Sequence, residues 1–181
     1  MRWLAASALA LSINVVHADE AVRICYNYGC LTETAVNFSD QRLAQVSASL
    51  ATAATAAQER ERVALAVGQL YAWAAEQTPI GADRGGDYAD DGQPGRMDCI
   101  DHSTTTDRFL HLFEDRGWLR FHRVGKIVVR HRWIFAQHFS AVLEEKPGGA
   151  PFVVDTWFRD NGKPAVVMPL ADWQDGGEPD D

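Results

Sequence analysis

Hydrophobic residues recur at helical spacing in the first half of the chain and in strand-like runs in the second half. Leu43, Val46 and Leu50 follow the capping segment 38–40, which predicts a first helix. A second helix is predicted to end at Thr78-Pro79, because that pair follows an apolar stripe made of Val63, Val67, Leu70, Tyr71 and Ala74. We expect both helices to form scaffold.

The third predicted helix starts at a cysteine. Asp98 has the position of an N-cap, and Asp101 follows it by three residues, in the first turn. Cys99 is then the first helical residue, and the helix is expected to stop at Arg116-Gly117. A thiol in a first turn faces unpaired backbone N–H groups and the positive end of the helix dipole, which predicts a lowered pKa for Cys99.

Strand-like runs dominate the chain beyond Trp118. Gly, Pro and Asn-Gly breaks separate five of them, at 119–124, 127–130, 133–143, 152–158 and 165–168. A shorter strand-like piece, 21–25, precedes the helices. Helices followed by an antiparallel sheet define an α+β fold class, with the cysteine-bearing helix packed on the sheet.

The first eighteen residues have the pattern of an export signal. Arg2 precedes an apolar segment, 3–16, and small residues surround the boundary before Asp19. The apolar segment is shorter than the roughly 20 residues that span a bilayer, so no membrane anchor is predicted. We expect an exported protein, periplasmic or secreted, whose mature part, 19–181, is one domain. That part has 16 Lys and Arg against 25 Asp and Glu, which disfavours nucleic acid as a partner.

Two of the three cysteines lie close together. Cys25 and Cys30 flank a short segment with Asn27 and Gly29, which suit a turn, so an oxidising compartment favours a structural disulfide between them. A redox-active pair is the alternative, although the spacing is not C-x-x-C. Either pairing leaves Cys99 as the free thiol.

A base and an orienting acid for Cys99 can be found on successive strands. His138 lies among apolar residues of one strand, and Asp155 lies within the next, where Asp is otherwise disfavoured. A tight turn would place Asp155 opposite Val142, about 13 Å along the strand from His138. The pairing therefore needs a bulge, a looser turn or strong twist.

The order Cys, His, Asp resembles the transglutaminase-like branch of the papain-like thiol enzymes, especially the bacterial transglutaminase-like cysteine peptidases. The resemblance covers roughly residues 85 to 160 and is carried by four segments: Asp98-Cys99-Ile100-Asp101-His102, Arg116-Gly117-Trp118, 137–143 and Val153-Val154-Asp155. Some members hold calcium between acidic residues on both sides of the nucleophile; here Asp98 fits and Ile100 does not. No metal or cofactor is predicted.

The resemblance implies acyl transfer to Cys99, with His138 moving the proton and Asp155 orienting the imidazole. The oxyanion would bind the backbone N–H of Cys99 and one further donor, for which Gln93 and Tyr88 are the candidates. The implied substrates are peptide or isopeptide bonds of proteins, with cell-wall peptides as one candidate. The alternative function is a binding module that has the fold without the catalysis.

Other polar residues have simpler interpretations. A zinc site combining Cys99 and His102 with His131, His138 or Asp155 lacks a recognisable spacing. The acidic residues of segment 81–95, which are Asp83, Asp87, Asp90 and Asp91, are expected to form a solvated loop and not a calcium site. His111 and His122 are expected at a helix surface and a strand edge.

Overall fold

The computed structural model describes residues 20–87, 89–132 and 136–179. The predicted signal segment and the oxyanion candidate Tyr88 lie outside these ranges. The described chain forms, in order, β1 Glu20–Tyr26, β2 Thr32–Phe38, α1 Asp40–Ala51, α2 Ala56–Ala74, a 3₁₀ turn Pro79–Ala82, α3 Cys99–Asp115, β3 His122–Val124, β4 Val128–Arg132, β5 Ala136–Glu145, β6 Pro151–Asp155, β7 Val166–Pro169 and α4 Leu170–Gln174.

Side-chain caps start the three long helices. Ser39 accepts the N–H of Arg42 before α1, and Thr55 accepts the N–H of Gln58 before α2. Asp98 caps α3, so Cys99 is its first residue, as the sequence predicted. Each cap satisfies an N–H group that the helix itself leaves unpaired.

The strands form two antiparallel sheets, which confirms the α+β prediction. β1 and β2 make a two-stranded sheet, in which Glu20 pairs with Phe38 and Tyr26 with Thr32. The second sheet has the strand order β3-β5-β6-β7, and β4 also pairs with β5. The strand β2 and the helix α4 were not expected from the sequence. The predicted strands 119–124 and 152–158 are shorter in the structure, because only residues 122–124 and 151–155 are paired.

The α3 helix contacts both sheets, through β1 on one side and β5 on the other. Its Phe109 is fully buried and meets the rings of Phe38 and Tyr71 edge to face, at centroid distances of 5.9 and 5.3 Å. This packing joins α3 to β2 and α2. No helix in the described ranges combines the length and the apolar character that crossing a bilayer requires.

Candidate active site

The N-terminus of α3 is built by a reciprocal capping box. Asp98 Oδ1 accepts the N–H groups of Ile100 and Asp101 at 3.0 and 2.9 Å, and Asp101 Oδ2 accepts the N–H of Asp98 at 3.2 Å. The N–H of Cys99 is not used by this box. It lies at the sulfur of its own side chain, where it favours the thiolate.

The sulfur of Cys99 lies against β5 on both sides of one residue. The thiol is 3.7 Å from the backbone oxygen of Gln137, to which it can donate, and the N–H of Phe139 donates to the sulfur. The residue between these two backbone groups is His138. The backbone groups on both sides of His138 therefore contact the sulfur of the predicted nucleophile.

His138 and Asp155 meet because the turn between their strands is looser than a tight hairpin. Ala141 pairs with Val154 and Glu144 with Pro151, which leaves residues 146–150 as the connection. By that register Asp155 faces Ser140, so His138 is a diagonal neighbour on the same face of the sheet. The two side chains extend across the diagonal distance between these residues, and His138 Nε2 lies 2.7 Å from Asp155 Oδ2.

Buried donors hold the carboxylate of Asp155. Its Oδ2 also accepts the indole N–H of Trp173 at 2.9 Å, and its Oδ1 accepts the backbone N–H of Trp157 at 3.1 Å. The carboxylate oxygens of Asp155, which is 2% exposed, thus accept both of these N–H groups, so the imidazole nitrogen at Oδ2 is assigned as a third donor. Nε2 of His138 is therefore the protonated ring nitrogen.

The other nitrogen of His138 is buried and has no hydrogen-bond partner in the described part of the chain. The ring is 6% exposed and packs against Trp157, Phe158 and Trp173, at centroid distances of 4.9, 5.5 and 5.5 Å. With Nε2 holding the proton, Nδ1 presents a lone pair. An unpaired buried acceptor is costly in a folded protein, and a role in proton transfer is one of the explanations for such an atom.

The prediction of a lowered Cys99 pKa is wrong for this structure. Burial raises the pKa of the thiol, and the charges of Asp98 and Asp155 raise it further, whereas the N–H of Phe139 lowers it. The position in the first turn could be deduced from the sequence, but the burial and the second acid could not. The resting thiol is neutral, so a base must remove its proton when it reacts.

This arrangement predicts that Asp98→Asn makes Cys99 more reactive toward iodoacetamide. Asparagine retains the capping ability but removes a negative charge that disfavours the thiolate, so the pKa of Cys99 falls and more thiolate is present at any pH below it. The measurement is the alkylation rate of the two proteins against pH. An unchanged profile would show that Asp98 does not act on the thiol electrostatically.

A second buried network joins the cysteine-bearing helix α3 to the end of β6, the strand of Asp155. Asp83 is 1% exposed, its Oδ1 accepts the N–H of Met97 at 2.8 Å, and its Oδ2 lies 3.0 Å from His102 Nε2. His102 Nδ1 is hydrogen-bonded with the hydroxyl of Thr156 at 2.8 Å. The expectation that Asp83 is solvated is therefore wrong, because its partner on α3 covers it.

Asp90, also expected in a solvated loop, is held by two side chains. Its Oδ1 accepts the hydroxyl of Tyr28 at 2.5 Å, and its Oδ2 is 3.0 Å from Arg96. His122 was expected at a strand edge; it lies on the edge strand β3 but is fully buried, with Nδ1 donating to Glu59 at 2.7 Å. Each correction involves one partner that is distant in sequence: Tyr28 lies 62 residues from Asp90, and Glu59 lies 63 residues from His122.

The remaining candidates are placed as follows. Gln93 is exposed, and its backbone N–H and C=O bond Asp90 and Arg96 within a turn. Cys25 and Cys30 form the predicted disulfide. With Asp101 they are the described residues that come together as metal ligands would, but the disulfide occupies both sulfurs. An open groove of about 810 Å³ lies beyond Phe158, and none of the three predicted catalytic residues lines it.

No protein-family model, curated protein or solved structure matches this chain. The resemblance to transglutaminase-like cysteine peptidases therefore stays a sequence-based expectation. The geometry of Cys99, His138 and Asp155 has to be interpreted by its own chemistry.

Proposed function

We propose that the protein is a thiol hydrolase that cleaves amide or ester bonds through an acyl-enzyme on Cys99. The observation that carries the proposal is the buried imidazole of His138, whose Nε2 is bound to Asp155 while Nδ1 has no hydrogen-bond partner in the described ranges. The backbone on both sides of His138 contacts the sulfur of Cys99. A free cysteine at a helix start, a base with one available lone pair and a buried orienting acid are the parts that covalent acyl transfer needs.

The proposed reaction has two halves. The sulfur of Cys99 bonds to the carbonyl carbon as its proton moves to Nδ1 of His138, and the N–H of Cys99 stabilises the oxyanion. The C–N or C–O bond breaks, and the leaving group takes the proton from Nδ1, which leaves a thioester. Water then gives a proton to Nδ1 and attacks the thioester, so that the acid is released and the thiol is restored.

Asp155 keeps the imidazole in the tautomer that this reaction requires. Its carboxylate accepts the Nε2 proton and stabilises the imidazolium that forms in each half-reaction. The raised pKa of Cys99 supports general-base removal of its proton by His138 and not a preformed thiolate. The second candidate function is a binding module without catalysis. The raised pKa of Cys99 favours this function if His138 does not accept the proton of the thiol.

Stopped-flow kinetics with p-nitrophenyl acetate tests the proposal. We expect a burst of p-nitrophenolate equal to the protein concentration and then slower steady release, because the activated aryl ester acylates Cys99 faster than water hydrolyses the thioester. A matched run with protein whose free thiol has been alkylated by iodoacetamide serves as the control. Release with no burst, at the same rate in both samples, would favour the binding module.

A further inference from the structure

The loop closed by the Cys25–Cys30 disulfide has a rare backbone conformation. Residues 27–30 all have positive φ angles, from 55° to 67°, although only Gly29 among them is a glycine. Other residues seldom adopt this left-handed region, and they remain there where surrounding contacts fix them. Successive N–H groups in such a turn point to one side and form a concave site for an anion.

The anions that this loop binds are the carboxylates of Asp98 and Asp101. The N–H groups of Tyr28 and Cys30 donate to Asp101 at 2.7 and 2.6 Å, and the N–H of Gly29 donates to Asp98 at 3.0 Å. Asp101 is fully buried. Both carboxylates belong to the start of α3, so the disulfide loop is attached to the turn that carries the nucleophile.

Asp101 depends on these donors. Its pKa is raised to about 6, by burial first and by the charge of Asp98 second, whereas the N–H groups of Cys30, Asp98 and Tyr28 oppose the rise. Without the loop, a buried carboxylate would lie beside a second one with few donors left, which is an unfavourable arrangement. The first turn of α3 would then have to move until water reached Asp101.

We propose that Asp101 is a positioning residue for Cys99 and that the hydrolase acts only when the Cys25–Cys30 disulfide is formed. This inference rests on the proposed function. In the oxidised chain the loop fixes the first turn of α3 and holds the Cys99 sulfur against β5. A dithiol reductant that supplies two electrons and two protons breaks the S–S bond, leaves two cysteine thiols and becomes a disulfide itself. The loop then leaves its left-handed conformation, and Cys99 leaves its place beside His138.

A disulfide that only stabilises the fold makes a different prediction. Its removal would lower the melting temperature, but the chemistry of Cys99 in the folded protein would not change. The two cases are therefore separated by measuring Cys99 in folded variants. Two readouts are useful, because displacement of the first turn should reduce ester turnover while it exposes the half-buried thiol to alkylation.

The test compares the wild-type protein with Cys25→Ser/Cys30→Ser and with Asp101→Asn. We expect both variants to lose about 10²-fold of p-nitrophenyl acetate turnover, the scale of a small misplacement of a catalytic group. We also expect faster alkylation of Cys99 by iodoacetamide in both. Asp101→Asn retains the size of the side chain but turns an N–H₂ group toward backbone N–H donors, so it detaches the loop while the disulfide stays intact.

Two control variants should retain wild-type turnover. Tyr28→Phe removes the hydroxyl bond to Asp90 but keeps the backbone N–H on Asp101. Glu59→Gln changes another buried carboxylate that accepts backbone N–H groups, from Arg120 and Phe121, at the start of α2. The Glu59→Gln variant shows how much turnover changes when a buried carboxylate far along the chain from α3 is neutralised and the protein loses a similar amount of stability.

Near-UV circular dichroism establishes which variants are folded. Wild-type turnover and alkylation in the folded double-serine variant would overturn the inference, as would equal losses in Glu59→Gln. If the double-serine variant does not fold, Asp101→Asn decides. A wild-type protein whose turnover does not depend on Cys99 would overturn the proposed function and this inference together, whereas unchanged variants of an active protein overturn this inference alone.

Discussion

Cys99→Ser is expected to reduce the turnover of p-nitrophenyl acetate to the rate of the uncatalysed reaction, a loss of about 10³-fold or more. A serine hydroxyl is a much weaker nucleophile than a thiol when each is at its ordinary pKa. A thiol also releases its proton to the imidazole of His138 more readily than a serine hydroxyl does. The turnover of wild-type and variant protein, measured at equal concentration, checks the prediction.

The same substitution should leave the fold intact, because Cys99 is only half-buried and its sulfur contacts the backbone of Gln137 and Phe139, to which a hydroxyl can also bond. An unchanged melting temperature would therefore accompany the loss of turnover. Wild-type turnover in Cys99→Ser would assign the hydrolysis to another group. The substitution in that case would exclude the thiol as the nucleophile.

Asp155→Asn is expected to reduce turnover by about 10²- to 10⁴-fold, close to the effect of His138→Ala. All three described partners of the carboxylate are donors: the imidazole of His138, the indole of Trp173 and the backbone N–H of Trp157. An asparagine amide must turn its N–H₂ group toward at least one of them. If that partner is His138, its ring proton moves to Nδ1, and the lone pair that should deprotonate Cys99 is lost.

The pH dependence distinguishes this tautomer effect from simple loss of structure. Asp155→Asn should remain folded but have a lower turnover than wild type at every pH at which wild type is active. Asp155→Glu should have a higher turnover than Asp155→Asn because it keeps a carboxylate. Equal turnover in wild type and Asp155→Asn would show that Asp155 does not orient His138. Trp173→Phe, which removes only one donor, is the matched control and should cost much less than Asp155→Asn.

The elements that local patterns determine could be predicted from the sequence. Asp98 as N-cap, Cys99 as the first residue of α3 and the α+β order all follow from capping and periodicity within short windows. The disulfide was also predictable, because its two cysteines lie five residues apart.

Features that depend on register and burial could not be predicted. The separation of His138 and Asp155 depends on the length of the turn 146–150, which no local signal determines. The predicted direction of the Cys99 pKa shift was wrong because it considered only the helix start. The burial of the thiol and the nearby charge of Asp155, which raise the pKa, were not visible in the sequence. Asp83 was assigned to solvent by the polar composition around it, although its partner His102 is on α3.

The attachment of the disulfide loop to α3 was also not visible in the sequence. The loop and the two acids at the helix start are about seventy residues apart along the chain, since Cys30 bonds Asp101 across a separation of 71. Neither segment alone suggests the contact. It becomes apparent only when the N–H groups of the left-handed loop and the carboxylates are seen together.

The proposed hydrolysis depends on one intermediate, an acyl group carried on Cys99. We would mix the protein with p-nitrophenyl acetate, quench with acid within the first turnover and locate the acetyl group by mass spectrometry of proteolytic peptides. We expect one acetyl group, on the peptide that contains Cys99, and we expect it to form much more slowly in His138→Ala. Acetylation confined to lysines, or acetylation of Cys99 at the same rate in His138→Ala, would contradict the proposed function.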